Sequence, residues 1–265
     1  MFEFFLIFNF VLGWGKIGHM MTGTLAEELL TFEAKLWLQT YIGNRSLPDA
    51  TYWADTVKWR YPKTKKMHYI DSKFITSEEP GCELNMKRDC ADGVCIVTAI
   101  QMYYDILNDN QESLLFLIHF MGDIHQPLHN IDRYRGGNDY KIKFGAKNTN
   151  MHTLWDSIML ETIVKQYHNS SIDIYTKYLK NLVKKEFVYC PDKSADICPE
   201  YWSLETGRLN CKSVWVGVDH TTDLKLEYFE KNRHVFETQL LIAGYRLGVL
   251  INRLARGDSF HEELK

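Results

Sequence analysis

A chain of 265 residues is long enough to bury a sizeable core, and nothing in its composition marks a split, so one domain is expected. Hydrophobic residues at 45% and charged residues at 25% are globular proportions; with no Pro/Ser/Gly-rich stretch, charge block or fixed-period repeat, disorder is not indicated. A net charge of −3 excludes an overall basic footprint, so a nucleic-acid ligand would need local cations to supply the attraction that Lys and Arg usually provide.

Residues 1–13, MFEFFLIFNFVLG, form an apolar run too short to span a bilayer and end in the small Gly13. They read as a signal peptide cut before Trp14, although they hold Glu3 and no Lys or Arg; an N-terminal core strand is the alternative. Cleavage removes one acid and no base, which moves the net charge from −3 by one unit to −2 for residues 14–265. Helical spacing follows over 19–30, 32–42, 97–108, 111–125, 156–168 and 171–187, and a last helix over 235–256 is closed by Arg256 and Gly257. Arg246 and Arg253 argue against a membrane span there, and no stable membrane association or obligate protein partner is indicated. Arg135-Gly136-Gly137-Asn138-Asp139 is turn chemistry, and Tyr140–Phe144 alternates as a strand would, which predicts a small hairpin. The fold class is therefore mainly α, a single compact α-helical domain with a small β-hairpin. Segments 72–92 and 188–220 carry cysteines and little periodicity, and are expected as ordered loops.

Six cysteines, at 82, 90, 95, 190, 198 and 211, include no C-x-x-C pair, which suits disulfides in an oxidising compartment better than a thiolate metal site. Two sequons, at Asn44 and Asn169, permit N-glycosylation in a secretory route.

The stretch LLFLIHFMGDIHQPLH is apolar on nearly every side, yet it holds His119 and Asp123 at i and i+4 on one helix face. Burying an imidazole and a carboxylate is costly unless each has a partner, and a shared metal ion satisfies both. His129 follows just past Pro127, and a second i, i+4 pair, His152 and Asp156, lies beyond the hairpin. One such pair is more often a helix-surface hydrogen bond; two pairs plus His129 reverse that reading. Asp55, His68 and His19 add further nitrogen and oxygen donors with no cysteine nearby, which points to a catalytic zinc or similar divalent ion.

These motifs resemble those of the single-strand-specific zinc nucleases of fungi and plants, relatives of the bacterial zinc phospholipases C. The pattern W-G-x-x-G-H, W-A-D, H-[FY]-x-D, H-x-x-x-D-x-x-Q-P-[LM]-H, G-G-N, H-x-x-x-[DE] is met in order from Trp14 to Asp156. The resemblance implies three zinc ions. One would take Asp55, His68 and His119, with Asp123 bridging to a neighbour held by His19 and by the α-amino nitrogen and carbonyl of Trp14; the third would take His129, His152 and Asp156. It further implies hydrolysis of single-stranded DNA and RNA to 5′-phosphates, with 3′-nucleotidase activity, in a secreted or lysosome-like compartment. Asp55 would orient the attacking water and Lys58 would offset phosphate charge, a solvated surface lysine being the alternative for Lys58. Tyr69, Asp71 and Asn138 would contact the base, Asn138 needing no function to explain its place in a turn. Candidate disulfides, which spacing alone leaves open, are Cys82–Cys211, Cys90–Cys95 and Cys190–Cys198. A phospholipase C type phosphodiesterase and a non-catalytic zinc-binding protein are the rival readings; Asp rather than Glu at 156 favours the nucleases, as does the Tyr69/Asp71 platform.

Overall fold

The computed structural model describes residues 14–77, 81–107, 110–183 and 187–257, so the expected signal peptide lies outside the described residues. Helices dominate: α1 (Lys16–Glu27), α2 (Phe32–Ile42), α3 (Leu47–Thr56), the single turn α4 (Met86–Asp89), α5 (Ile96–Asp105) and α6 (Gln111–Asp123) precede the hairpin. Strands β1 (Lys141–Phe144) and β2 (Lys147–Asn150) pair antiparallel, Lys141 opposite Asn150 and Phe144 opposite Lys147. Then come α7 (Met151–Thr153), a π-helical turn over Leu154–Ile158, α8 (Met159–Tyr167), α9 (Ile172–Leu182), α10 (Pro199–Leu209), a second π turn over Asn210–Val214 and α11 (Glu227–Arg256).

Local chemistry sets these boundaries. Thr31, Ser46 and Ser171 side chains accept from backbone N–H groups in the first turns of α2, α3 and α9, and Gly257, left-handed at φ 68°, ends α11. The centre of the molecule is α6, in which every residue from Ser113 to Asp123 is buried. It packs against α3, α5 and α11, while α11, about 45 Å long at 1.5 Å per residue, also lies along α1 and α2. One apolar cluster gathers around α6 with Trp202; a second joins the hairpin, α8 and α9 to Trp14, Trp155 and Phe236.

Two expectations are corrected. Segment 188–220 is not only loop, because it contains α10: Pro199 starts the helix, but its buried face is Trp202, Ser203, Thr206 and Gly207, too polar and small to show apolar periodicity. The last helix begins at Glu227 rather than 235, with Tyr228 and Phe229 buried in its first turn. Three disulfides tie the irregular segments, Cys82–Cys211, Cys90–Cys95 and Cys190–Cys198.

Candidate metal centre

Five histidines and three aspartates converge at the C-terminal end of α6 in three groups of close donor atoms: His19, Asp55 and His119; His68, His119 and Asp123; and His129, His152 and Asp156. Their origins differ. His119 and Asp123 project from α6, His19 from α1, Asp55 from α3, and His68 ends a 3₁₀ segment over Pro62–His68. His129 sits in a second 3₁₀ turn, Pro127–Asn130, and His152 and Asp156 flank the entry to the first π turn, a distortion frequent at functional sites.

Backbone carbonyls fix the imidazoles. His119 Nδ1–H donates to Thr51 O, His129 Nδ1–H to His68 O and His152 Nδ1–H to Gly136 O, each at 2.7 Å. Each such bond places the imidazole lone pair on Nε2, the form that ligates metal. The His119 lone pair then faces Asp123 Oδ2 at 3.0 Å and Asp55 Oδ1 at 3.5 Å, while His68 Nδ1–H donates to Asp123 Oδ2 at 2.8 Å and leaves its own lone pair on Nε2. Acceptors aimed at acceptors repel unless a positive charge lies among them. Asp55 Oδ2, His68 Nε2, His129 Nε2 and His19 Nδ1 are buried and have no hydrogen-bond partner among the described residues. These orphaned atoms, all nitrogen or carboxylate oxygen, fit divalent transition ions.

The charges are set by burial and by one another. Burial holds the His68 pKa down to about 4 and that of His129 to about 3, against the attraction of Asp123, so both imidazoles stay neutral and able to ligate well below pH 7. Full burial opposes ionisation of Asp123, but His119 and His129 hold its carboxyl well below the usual range. Against the penalty of its own burial, His119 is pushed above the ordinary histidine value by Asp123 and Asp55. Asp156 goes the other way: burial raises it to about 6, partly offset by His152 and by Gln126, whose Nε2 donates to Asp156 Oδ1 at 2.6 Å.

The N-terminal motif has a steric reading. Gly15 N–H donates to Asp156 O at 2.9 Å, and a Cβ on Gly15 would lie 2.3 Å from Ser157 Oγ and 3.0 Å from Asp156 O, so a larger residue would crowd the π turn. Trp14 is fully buried, its indole edge-on to Phe236 at 4.9 Å. The turn after His129 is strained: φ is positive from Tyr134 through Arg135 and Gly136 to Gly137, at 50°, 52°, 60° and 80°. A Cβ on Gly136 would meet Leu128 O at 2.5 Å, and that close approach lets the Gly136 carbonyl reach His152.

Above the histidines opens a cavity of about 760 Å³ that reaches His68, His129 and His152, and Lys58, Tyr69, Asp71 and Asn138 lie on its wall. Lys58 Nζ meets Asp55 Oδ1 at 2.6 Å, and Asn138 Nδ2 donates to Arg135 O at 2.9 Å. His125 stands apart from the donors: its Nδ1–H bonds Met121 O at 2.7 Å, its Nε2 accepts from Arg246 at 3.0 Å, and burial with Arg246 keeps it neutral.

Sequence reasoning passed over several residues that hold this arrangement. Thr51 supports two histidines, its carbonyl taking His119 Nδ1–H and its hydroxyl donating to His19 O at 2.7 Å. Asn130 Nδ2 bonds Ile124 O at 2.9 Å and Gln126 O at 3.0 Å, and Ser203 from α10 donates to its Oδ1 at 2.7 Å. Asn210 donates to Pro127 O at 2.7 Å, so the missed helix and its π turn brace the turn that carries His129. Only Gln126 had a signal, its place in the Q-P-L-H motif.

A helical scaffold presenting imidazole and carboxylate donors in three adjoining groups, with no thiolate, offers ligand sets of the kind that hold catalytic rather than structural metal ions. The chain belongs to the S1/P1 nuclease family, whose model matches residues 14–256. It is similar to Nuclease S1 of Aspergillus oryzae, 29% identical over 93% of this chain and 93% of that protein. Endonuclease 2 of Arabidopsis thaliana is 30% identical over 91% and 90% of the two chains, and Nuclease P1 of Penicillium citrinum 27% over 91% and 97%.

Proposed function

We propose that the chain is a zinc-dependent endonuclease that hydrolyses single-stranded DNA and RNA to 5′-phosphate products, with 3′-nucleotidase activity on nucleotides. The observation that carries this reading is the set of orphaned, buried donor atoms on His19, Asp55, His68 and His129 beneath an open cavity, in a chain of the S1/P1 nuclease family. In the proposed assignment, Asp55, His68, His119 and Asp123 hold one zinc; Trp14 and His19 share Asp123 with it to hold a second; His129, His152 and Asp156 hold the third. Bound there, zinc would supply a water acidified towards neutrality and neutralise charge on the phosphodiester.

The chain's own residues do the rest. Asp55, kept below the usual carboxylate range by His119 and Lys58 despite its burial, is ionised and able to orient a water or accept its proton. Lys58 brings an ammonium to the cavity wall beside it, where it offsets charge building on the phosphate. Tyr69 offers an aromatic face and Asp71 a carboxylate acceptor for a base, with Asn138 on the same cavity lining as a further contact; unstacked bases suit that platform.

Maturation belongs to the same proposal. Removal of residues 1–13 on a secretory route would free the α-amine of Trp14, with 14–265 as one catalytic domain, and the family match beginning at residue 14 is consistent with that. Among the described residues no helix is long and apolar enough to cross a membrane.

The test is a substrate panel of single-stranded DNA, RNA and phosphatidylcholine, run before and after chelation and with zinc restored. Zinc-dependent cleavage of nucleic acid is expected; lipid turnover without it, or no metal-dependent cleavage of any ester, overturns the reading.

A further inference from the structure

At the mouth of the cavity stands a group that none of the catalytic assignments uses. Trp59 is 81% exposed, the most exposed large apolar side chain among the described residues, yet it lines the same cavity as His68 and Tyr69. It belongs to the run Lys58-Trp59-Arg60-Tyr61-Pro62-Lys63-Thr64-Lys65-Lys66, five cations with no acid, in a chain of net charge −3. Lys58 and Lys66 have carboxylate partners in Asp55 and Asp92, whereas exposed Lys63 and Lys65 form no ion pair among the described residues. Lys65 also lines the cavity; Asp71 is the acid on that lining, and Arg135, a further lining residue, is paired with Asp139 at 2.7 Å.

We propose that Trp59, with Lys63 and Lys65, forms an outer subsite for single-stranded nucleic acid, stacking a base beyond the one held at Tyr69 and pairing with its flanking phosphates. The inference rests on the nuclease reading and adds to it a preference for longer strands. A bare indole left in water has no packing reason to be there, and an aromatic face set among unpaired ammonium groups on a path into the cavity is the arrangement that binds single strands without regard to sequence. Continuity with the donor cluster and complementarity to phosphate select a nucleic-acid strand over an anionic membrane surface.

Steady-state hydrolysis by the zinc-loaded enzyme tests this with two substrates. A single-stranded hexanucleotide is long enough to occupy cavity and ledge together; a dinucleoside monophosphate offers no base beyond the pair flanking the bond that breaks. Trp59→Ala is expected to raise KM for the hexanucleotide at least fivefold at unchanged kcat, the low end for one lost stack, and to leave the dinucleotide KM within twofold. Trp59→Phe should restore most of the loss. Replacing Lys63 and Lys65 by Ala should flatten the dependence of log KM on log salt by about 1.4, at ~0.7 for each of two phosphate contacts. Equal changes with both substrates, or none, overturn the proposal. So does loss of binding to phosphatidylserine vesicles in Trp59→Ala at unchanged hexanucleotide KM. If the wild-type enzyme cleaves neither substrate, the nuclease reading itself falls, and the ledge with it.

Discussion

Beneath the cavity, His119, His129 and His152 are each pinned through Nδ1 to a backbone carbonyl, and the groups they face are buried. At the rim, Trp59, Lys63 and Lys65 stand in water with nothing to fix their rotamers among the described residues. The two regions use charge in opposite ways. Inside, low dielectric makes each unpaired donor costly, so geometry is over-determined and substitution is expected to be severe. Outside, solvent screens each charge, and single changes are worth little alone.

That contrast can be broken in order of size. Asp123 faces His19, His68, His119 and His129, so Asp123→Asn removes the carboxylate that all four imidazoles share. We expect kcat to fall about 10³-fold or more, with metal content by elemental analysis reduced; a variant with full metal and under tenfold loss would contradict the central role. Chelation should lower the thermal midpoint by about 10 °C or more, because each tightly held ion stabilises the folded state by a few kcal/mol. An unchanged melting curve would mean that the buried donors do not depend on metal.

Gln126→Ala leaves every proposed ligand in place but deletes the amide that donates to Asp156 and accepts from Leu128 N–H at 2.5 Å. A loss of roughly 10–100-fold in affinity for one ion of three is expected, read by competition with a chelator; uniform loss of all three would point to misfolding instead.

Proton release sharpens the comparison further. Asp156, with its pKa raised to about 6, is mostly protonated at pH 5 and mostly ionised at pH 7.5. Its raised folded-state value favours folding of the metal-free chain below the unfolded pKa, and that contribution is lost as pH rises through 6. Metal at His129, His152 and Asp156 must displace the proton, so calorimetric titration at pH 5 should depend on buffer ionisation heat, less so at pH 7.5, and Asp156→Asn should remove that component. The rim variants are expected to give the smallest effects, confined to KM and its salt dependence.

The sequence was most readable where burial makes chemistry expensive. An i, i+4 histidine and aspartate in an otherwise apolar helix has few bland explanations, and α6 does bury both. The long amphipathic helices and the alternating strand up to Phe144 were legible for the same reason of periodicity, although the hairpin turns at Gly145-Ala146 rather than at Gly136-Gly137. Helix α3 escaped because its buried face is Leu47, Ala50, Thr51, Ala54 and Asp55, and α10 because its own is no more apolar. The partners that orient His119, His129 and His152 are main-chain carbonyls of Thr51, His68 and Gly136, which any residue could supply, so no side-chain pattern announces them. The basic run from Lys58 to Lys66 escaped notice as a charge block, because a run of charges carries no period, and only its position on the cavity lining separates it from an ordinary solvated face.

The Cys82–Cys211 bond closes a covalent ring across 129 residues of sequence separation. His119, Asp123, His129, His152 and Asp156 lie inside that ring, while His19, Asp55 and His68 lie on the tail that precedes it. The three donor groups therefore differ topologically. One is wholly within the ring, and the other two are completed only when the tail lays α1, α3 and the 62–68 segment against α6. Opening the ring would return roughly 4–5 kcal/mol of loop entropy to the unfolded chain. Reduction should thus loosen the ring-borne group itself, whereas proteolysis of the tail would spare that group and erase the two shared ones.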